Sequence, residues 1–211
     1  MYFEWARFMD SSDTLTFDPG GLEPPAALAE GGCGVAYVVA DLQNRQRWAE
    51  ILGEGTARRL ADLHDRVARS VMKKHQGRQV GPSGEYQMLF GRPDHALDFA
   101  LAYFQALDKL SQGGATEIQS GVGIHYGRDG VRGPEIARKL ASLAGERRIL
   151  LTRDAFDHTR RHLEAARRLG WQACERYLSE DTAEPLDLVE IQVPQGNAED
   201  SASGSIHSAG F

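Results

Sequence analysis

Gly34-Val-Ala-Tyr-Val-Val-Ala-Asp41 (residues 34–41) is a nearly continuous apolar run that ends in a carboxylate. A short run rich in β-branched and aromatic residues predicts a buried central strand. A carboxylate at the end of such a strand is costly to bury without a cation or hydrogen-bond donors. Asp41 therefore needs a cation or hydrogen-bond donors beside it, or it caps the helix that follows.

The segments after this strand alternate between helical and extended patterns. Leu60, Leu63, Val67 and Val71 recur every three or four residues, which predicts one apolar helix face. Residues 79–90, Gln-Val-Gly-Pro-Ser-Gly-Glu-Tyr-Gln-Met-Leu-Phe, place a turn between two strands and predict a β-hairpin. The next predicted element is a helix that has Asp94 as its N-cap and runs to about Leu110, with Leu97, Ala100, Phe104 and Leu107 buried. It is followed by a strand over 118–124 that leads to His125. The remaining predicted elements are a helix over 134–143, a strand over 149–152, a helix over 154–169 and a strand over 186–193.

The composition limits the function classes. The 211 residues are 41% hydrophobic and 26% charged, as expected for one globular domain with tails. The net charge is −6 and the basic residues are scattered, so no basic face for nucleic acid is expected. Cys33 and Cys174 form no metal-binding motif, which indicates reduced thiols and a cytoplasmic protein. No apolar segment approaches the roughly 20 residues of a membrane span, and the N-terminus does not resemble a signal peptide.

Three parts are predicted along the chain. Residues 1–32 form an N-terminal arm that is rich in Pro and Gly and carries the aromatic residues Tyr2, Phe3, Trp5 and Phe8. Residues 33–193 form the folded domain. Residues 194–211 are small and polar, and this composition predicts a disordered tail. The arm packs either on the domain itself or on a partner chain.

Six short segments, in this order, resemble the catalytic domain of class III nucleotidyl (adenylate/guanylate) cyclases. They are Val38-Val-Ala-Asp41-Leu, Phe90-Gly-Arg-Pro93, Gly121-Val-Gly-Ile-His-Tyr-Gly127, Ala137-Arg-Lys-Leu-Ala-Ser-Leu-Ala144, Arg148-Ile-Leu-Leu-Thr152, and the end Trp171…Tyr177…Glu184-Pro-Leu…Val189-Glu-Ile191. The resemblance covers about residues 33–193. It implies a single α+β domain with a ferredoxin-like or palm-type βααββαβ core and helices packed on one mixed sheet.

The resemblance also implies a chemistry. In that family the 3′-hydroxyl of a nucleoside triphosphate attacks its own α-phosphate, and pyrophosphate leaves. Two aspartates hold two metal ions that lower the cost of the charge. A lysine and a further polar residue read the base, and an asparagine and an arginine on a helix hold the ribose and stabilise the transition state. The site is shared across a dimer interface, so a homodimer or heterodimer with a cyclase-fold or signalling partner is implied.

The resemblance assigns one residue to the first metal position and leaves two candidates for the second. The first aspartate matches Asp41. Counting back from Phe90 puts Gly84 at the second position, whereas a register one residue later puts Glu85 there. Neighbouring strand residues face opposite sides of a sheet, so these two registers differ in whether a second ligand exists. We favour Gly84, because that register keeps the strand before Phe90 at the family's length.

The remaining positions of the family's site are altered. The base-reading lysine falls at Val80 or Gly81, and the loop over 127–133 is shorter than the family's. The asparagine position carries Glu135, which would repel a triphosphate. The arginine position carries Lys139, with Arg138 as a possible substitute, and lysine lacks the planar fork of arginine.

Three functional hypotheses follow from this comparison. The first is a non-catalytic domain that serves as a dimerising regulatory or ligand-sensing signalling module, with a nucleotide as the candidate ligand and without a metal cofactor. The second is an atypical adenylate or guanylate cyclase that uses Asp41 and Glu85 as ligands of Mg²⁺ or Mn²⁺, with Lys139 or Arg138 on the phosphates. The third, based on Ser83-Gly-Glu-Tyr86, is a degenerate diguanylate-cyclase-like domain.

Overall fold

The computed structural model describes residues 34–43, 45–80, 86–112, 118–128, 130, 132–165, 170–173 and 186–193. The predicted N-terminal arm, the turn of the hairpin and the predicted C-terminal tail lie outside these residues. The predicted boundaries of the domain at 33 and 193 therefore stay predictions. None of the helices within the described ranges is long and apolar enough to cross a membrane.

The described part of the chain contains seven strands and five helices. The strands are β1 (Val35–Leu42), β2 (Arg78–Gln79), β3 (Tyr86–Phe90), β4 (Ser120–Gly127), β5 (Arg148–Thr152), β6 (Gly170–Ala173) and β7 (Leu188–Gln192). The helices are α1 (Arg45–Leu52), α2 (Glu54–Lys74), α3 (Pro93–Gln112), α4 (Gly133–Ala144) and α5 (Arg153–Ala165). The strands form one mixed sheet in the order β2-β3-β1-β4-β5-β7-β6, in which β4 and β5 are parallel and the other neighbours antiparallel. This is the α+β architecture that the sequence predicts.

The two faces of the sheet differ because side chains alternate along each strand. On β1, Ala36, Val38 and Ala40 face the main core, whereas Val35, Tyr37 and Val39 belong to a second apolar cluster. The main core packs the sheet against residues of α1, α2, α3 and α5. The second cluster packs it against α4. Asp41 has the parity of Tyr37 and Val39, so it lies on the α4 face.

Two glycines of β4 allow α4 to lie directly on the sheet. A Cβ at Gly123 would stand 2.1 Å from the carbonyl oxygen of Ala137 and 2.4 Å from the amide nitrogen of Ala141. A Cβ at Gly121 would stand 2.7 Å from the carbonyl oxygens of Ala141 and Gly145. No side chain fits at either position, so the backbones of α4 and β4 approach each other closely.

Most of the predicted elements are present, with shifts at their ends. The buried strand at Val35 is confirmed but extends through Asp41 to Leu42, and His125 lies inside β4 rather than after it. Asp94 is not the N-cap of α3, because the helix begins at Pro93 and the amide of Ala96 donates to the carbonyl of Arg92 at 3.3 Å. Strand β6 was not predicted, because four residues are too few to show the alternation of apolar and polar side chains that marks a strand.

The start of α3 carries an exposed ion pair. Arg92 Nε donates to Asp94 Oδ1 at 3.0 Å, and its Nη2 donates to Oδ2. Burial tends to raise the pKa of Asp94, but the hydrogen bonds and charge of Arg92 outweigh it and hold the pKa of this carboxyl below its usual value. A carboxyl with a lowered folded pKa stabilises the fold above its unfolded pKa, and this contribution is lost as the pH falls through the folded pKa.

We therefore expect Arg92→Ala to lower stability slightly near neutral pH, and less in acid. The urea midpoints of wild type and variant should differ at about pH 6 and converge below about pH 4, where the unfolded carboxyl becomes protonated. A difference that stays constant down to about pH 3 would show that Arg92 acts through packing rather than through Asp94.

Candidate functional site

Asp41 lies near the end of β1, in the middle of the sheet. Asp41 pairs with Gly121 on the neighbouring strand β4. The Asp41 side chain is half-buried on the face of the sheet that α4 covers. The backbone carbonyl of Asp41 accepts a hydrogen bond from Ser120 Oγ at 2.8 Å. The strand end is thus tied to β4 by a side chain as well as by the ladder. Asp41 lies within β1, and α1 begins only at Arg45, so Asp41 is not the N-cap of that helix.

The second metal position is not described by the structure. The ladder between β1 and β3 runs from Ala36–Phe90 to Ala40–Tyr86, and both Gly84 and Glu85 lie beyond its last described pair. Within the described ranges, no group of three or more His, Cys, Asp or Glu side chains is placed to hold a metal ion. The described residues therefore contribute one carboxylate, Asp41, and do not by themselves fit a two-metal site.

Helix α4 carries the residues that the resemblance assigns to the family's ribose and phosphate positions. Glu135 is exposed in its first turn, and Arg138 and Lys139 are half-buried in its middle. Gly121, the β4 partner of Asp41, lies close to the backbone carbonyls of Ala141 and Gly145 at the C-terminal end of α4. Asp41 is therefore level with the last turn of this helix. Lys139 lies about one turn, or roughly 5 Å, before that level. Asp41 and the α4 cations thus share one face of the sheet.

Val80, one of the two residues that the resemblance assigns to the base-reading position, is apolar. Val80 packs against a buried cluster formed by Val35, Tyr37, Val39, Leu89, Ala137 and Ala141. The ring of Tyr37 stacks on His125 with centroids 6.1 Å apart. It also lies so close to Gly133 that a Cβ there would stand 2.4 Å from Cε2 of the ring. The α4 face beside β1 is therefore filled by side chains of the domain itself. Gly81, the alternative for this position, lies outside the described residues.

A buried polar chain leads to the same strand end, and the sequence did not predict it. His64 of α2, Tyr103 of α3 and Ser120 of β4 are each at most 1% exposed and are linked by hydrogen bonds. The signal was present in α2, where His64 continues the helical spacing of the buried Ala57, Ala61 and Ala68. A polar residue in a small-residue stripe points to a partner on the facing helix.

Comparison with known proteins relates this fold to cyclases. No protein-family model and no curated protein matches the sequence. Among solved structures, an adenylate/guanylate cyclase/hydrolase from Silicibacter pomeroyi aligns with a TM-score of 0.65 at 18% identity, over 76% of this chain and 96% of the other. An adenylate cyclase from Trypanosoma brucei, solved in its monomeric state, aligns with a TM-score of 0.63 at 15% identity, over 79% and 92%.

A third structure is a non-canonical dimeric guanylyl cyclase domain of the RhoGC fusion protein from Blastocladiella emersonii. It aligns with a TM-score of 0.61 at 12% identity, over 75% of this chain and 96% of the other. The chain therefore has the fold of a class III nucleotidyl cyclase catalytic domain. At these identities the likeness shows the fold alone, and the residues of the site decide the activity.

Proposed function

We propose that this cyclase-like domain is non-catalytic and acts as a dimerising regulatory or ligand-sensing module in signalling. The observation that carries the proposal concerns Val80, one of the two residues that the resemblance assigns to the base-reading position. Val80 is half-buried and packs against the apolar cluster of Tyr37 and Leu89. A nucleobase edge placed there would leave its polar atoms without partners, and each unmade buried hydrogen bond costs about 1–3 kcal/mol.

The charges on α4 support the same conclusion. Glu135 is exposed in the first turn of the helix, where a carboxylate would repel a nucleoside triphosphate. Lys139 retains a positive charge at the arginine position but offers no bidentate fork for phosphate oxygens. Arg138 is the neighbouring cation and is half-buried. The altered positions thus lie on both the base side and the phosphate side of the family's site.

A dimer is part of this proposal. The structural neighbour from Blastocladiella emersonii is a dimeric domain, and the family's site is shared between two chains. We infer that this domain pairs either with a second copy or with another cyclase-fold chain. Sedimentation velocity of the purified protein over a hundredfold range of concentration distinguishes the two cases, since only self-association shifts the boundary in the absence of a partner.

The test of the non-catalytic proposal is a search for products. Purified protein is incubated with Mn²⁺ or Mg²⁺ and each of the four nucleoside triphosphates, and cyclic products are measured by mass spectrometry. We expect no cyclic nucleotide above the level of an Asp41→Ala control. A product that forms with wild type and disappears in Asp41→Ala would overturn the proposal.

A second candidate function, an atypical cyclase, is favoured by the register of the sheet. Along the described ladder, each step along β1 toward Asp41 is matched by one step back along β3, and the last described pair is Ala40–Tyr86. One further step of the same register would pair Asp41 with residue 85. Directly opposed residues of an antiparallel pair share a face. If the ladder continues by one step, Glu85 rather than Gly84 joins Asp41 on the α4 face, and two carboxylates could then hold Mg²⁺ or Mn²⁺.

The two candidates are separated by Glu85→Ala in the same assay. If a cyclic product is found, the second candidate requires that Glu85→Ala abolish it as Asp41→Ala does. Product formation that survives Glu85→Ala would exclude Glu85 as a ligand. Gly84→Ala serves as the matched control, because it adds one methyl group at the neighbouring position without changing the charge.

A further inference from the structure

Helix α2 ends in a strongly basic surface. The whole chain has a net charge of −6, but between residues 66 and 84 it contains five lysine or arginine residues and no aspartate or glutamate. Four of these five side chains are exposed, and the fifth, Arg69, is half-buried. The five residues, here called the α2 basic face, are Arg66, Arg69, Lys73 and Lys74 of α2 and Arg78 of β2.

The electrostatics of the helix end explain only part of this charge. Cations in the last turn of a helix are stabilised by the partial negative charge of its terminal carbonyls, and the effect falls off beyond that turn. Lys73 and Lys74 lie in the last turn of α2, whereas Arg66 and Arg69 lie before it. The two arginines therefore extend the positive charge along the helix for another reason.

The neighbouring helix α3 does not neutralise the α2 basic face. Its first two turns carry two carboxylates, those of Asp94 and Asp98. Arg92 donates two hydrogen bonds to Asp94, so this carboxylate already has a cationic partner. Asp98 is half-buried and offsets at most one of the five positive charges. A surplus of positive charge remains at the surface.

The N-terminal arm joins the fold beside this face. The described part of the chain starts at Gly34, and two residues later Ala36 of β1 pairs with Phe90 of β3. Gly77 follows the end of α2 by three residues, and a Cβ at Gly77 would stand 2.5 Å from the Phe90 ring. The first residues of β1 and the end of α2 thus lie on either side of one phenylalanine.

We propose that the N-terminal arm binds to the α2 basic face of its own domain. Residues 1–32 contain one arginine and six acidic residues, a net charge of −5 that is opposite and equal to the +5 of the face. The acidic residues are Glu4, Asp10, Asp13, Asp18, Glu23 and Glu30. The arm thus packs on the domain rather than on a partner chain, whether or not the domain converts a nucleotide.

The length of the arm allows several of its carboxylates to reach the face together. An extended chain covers about 3.3 Å per residue, so Glu30 reaches roughly 13 Å from Gly34 and Glu23 roughly 36 Å. The helical part of the face, from Arg66 to Lys74, is only about 12 Å long. Because the arm is covalently attached, its local concentration at the face is high without any second molecule.

Carbodiimide crosslinking of the full chain tests the proposal, because this reagent joins a carboxylate to a lysine only when the two groups touch. The sequence has four lysines, at positions 73, 74, 109 and 139, so mass spectrometry of the crosslinked peptides locates the arm. We expect the arm carboxylates to be joined to Lys73 or Lys74 and not to Lys109, which is also exposed. In a mixture of unlabelled and ¹⁵N-labelled protein, these crosslinks should lie within one chain.

Three results would each overturn the proposal. They are the absence of arm crosslinks to Lys73 and Lys74, an equal or higher yield at Lys109 or Lys139, and crosslinks that join a labelled to an unlabelled chain. The first two would leave the α2 basic face to an acidic partner, and the third would place the arm on a second copy of the chain.

Charge reversal identifies the cause of the binding. The double substitution Arg66→Glu and Arg78→Glu changes two exposed residues of the face and keeps both lysines. It should lower the initial yield of arm crosslinks about threefold or more, as expected for the loss of two exposed ion pairs. In 1 M salt, where the Debye length is about 3 Å, the wild-type yield should fall as well.

The matched control is Arg58→Glu with Arg59→Glu. These two residues are also exposed on α2 and give the same change in net charge, but they lie roughly 20 Å along the helix from Lys73. The crosslink yield of this control should equal that of wild type, with circular dichroism showing that each variant is folded. An equal loss of yield in both double variants would show that overall charge, rather than the α2 basic face, attracts the arm, and would contradict the proposal.

Discussion

Replacing Gly123 with alanine should destabilise the domain by about 3 kcal/mol or more, the upper end of the cost of overpacking. The added Cβ would stand 2.1 Å from the Ala137 carbonyl oxygen and 2.4 Å from the Ala141 amide nitrogen. These are backbone atoms of α4, so no rotamer change can relieve the contact. The helix would have to move away from β4, which would open the apolar cluster around Tyr37.

The measurement is urea unfolding followed by circular dichroism. Gly55→Ala is the matched control, because Gly55 lies inside α2 with no heavy atom within 4 Å of an added Cβ. Alanine in a helix is favoured over glycine by up to about 1 kcal/mol, so this control should be neutral or slightly stabilising. A Gly123→Ala variant as stable as wild type would mean that α4 does not lie against β4 as described.

Removing the side chain of Arg147 should cost about 2 kcal/mol. Arg147 donates two hydrogen bonds to Asp108, at 2.5 and 3.1 Å, and its guanidinium lies 5.7 Å from the centroid of the Phe104 ring. The two side chains are 16% and 19% exposed, so this pair is shielded from water more than a surface pair. Breaking a fully buried pair costs about 3–5 kcal/mol, and partial exposure reduces that figure.

The backbone of Arg147 adds a sharper comparison. Its φ is +55°, a left-handed conformation that costs a non-glycine residue about 1–2 kcal/mol. Both Arg147→Ala and Arg147→Gly lose the ion pair, but only glycine relieves this strain. The glycine variant should therefore be about 1 kcal/mol more stable than the alanine variant in urea unfolding. A double-mutant cycle with Asp108→Ala isolates the ion pair, and a coupling energy of zero would show that it contributes nothing.

Much of the fold could be predicted from local patterns. The apolar run at Val35, the repeat of Leu97, Ala100, Phe104 and Leu107 along α3, and the hairpin flanks at Arg78 and Tyr86 are present as predicted. These signals are local, because strand and helix periodicities depend only on which residues face the core. Element ends were less well predicted, as at His125 and Asp94, because they depend on partners in other strands and turns.

The candidate site was only partly predictable. Asp41 was identified as a candidate metal ligand from its match to the first metal aspartate of the cyclase family, and the structure puts it on the α4 face. The packing of Val80 against apolar side chains could be seen only from the positions of β1, β3 and α4 together. The choice between Gly84 and Glu85 rests on strand pairing, which one sequence does not reveal because a shift of a single residue exchanges the two faces.

Residue types and short motifs were enough to predict an α+β domain with the fold of class III cyclases, and this fold is confirmed. The altered residues at the family's base, ribose and phosphate positions remain a prediction from the resemblance. Residue identities and local periodicity carry that information. The close approach of α4 to the sheet at Gly121 and Gly123 could be seen only in the three-dimensional structure. The same holds for the hydrogen bonds that link His64, Tyr103 and Ser120 to the backbone carbonyl of Asp41. These contacts join residues up to 79 positions apart. They exist because a hydrogen bond or a close backbone approach depends on distances in three dimensions, which periodicity along the chain does not specify.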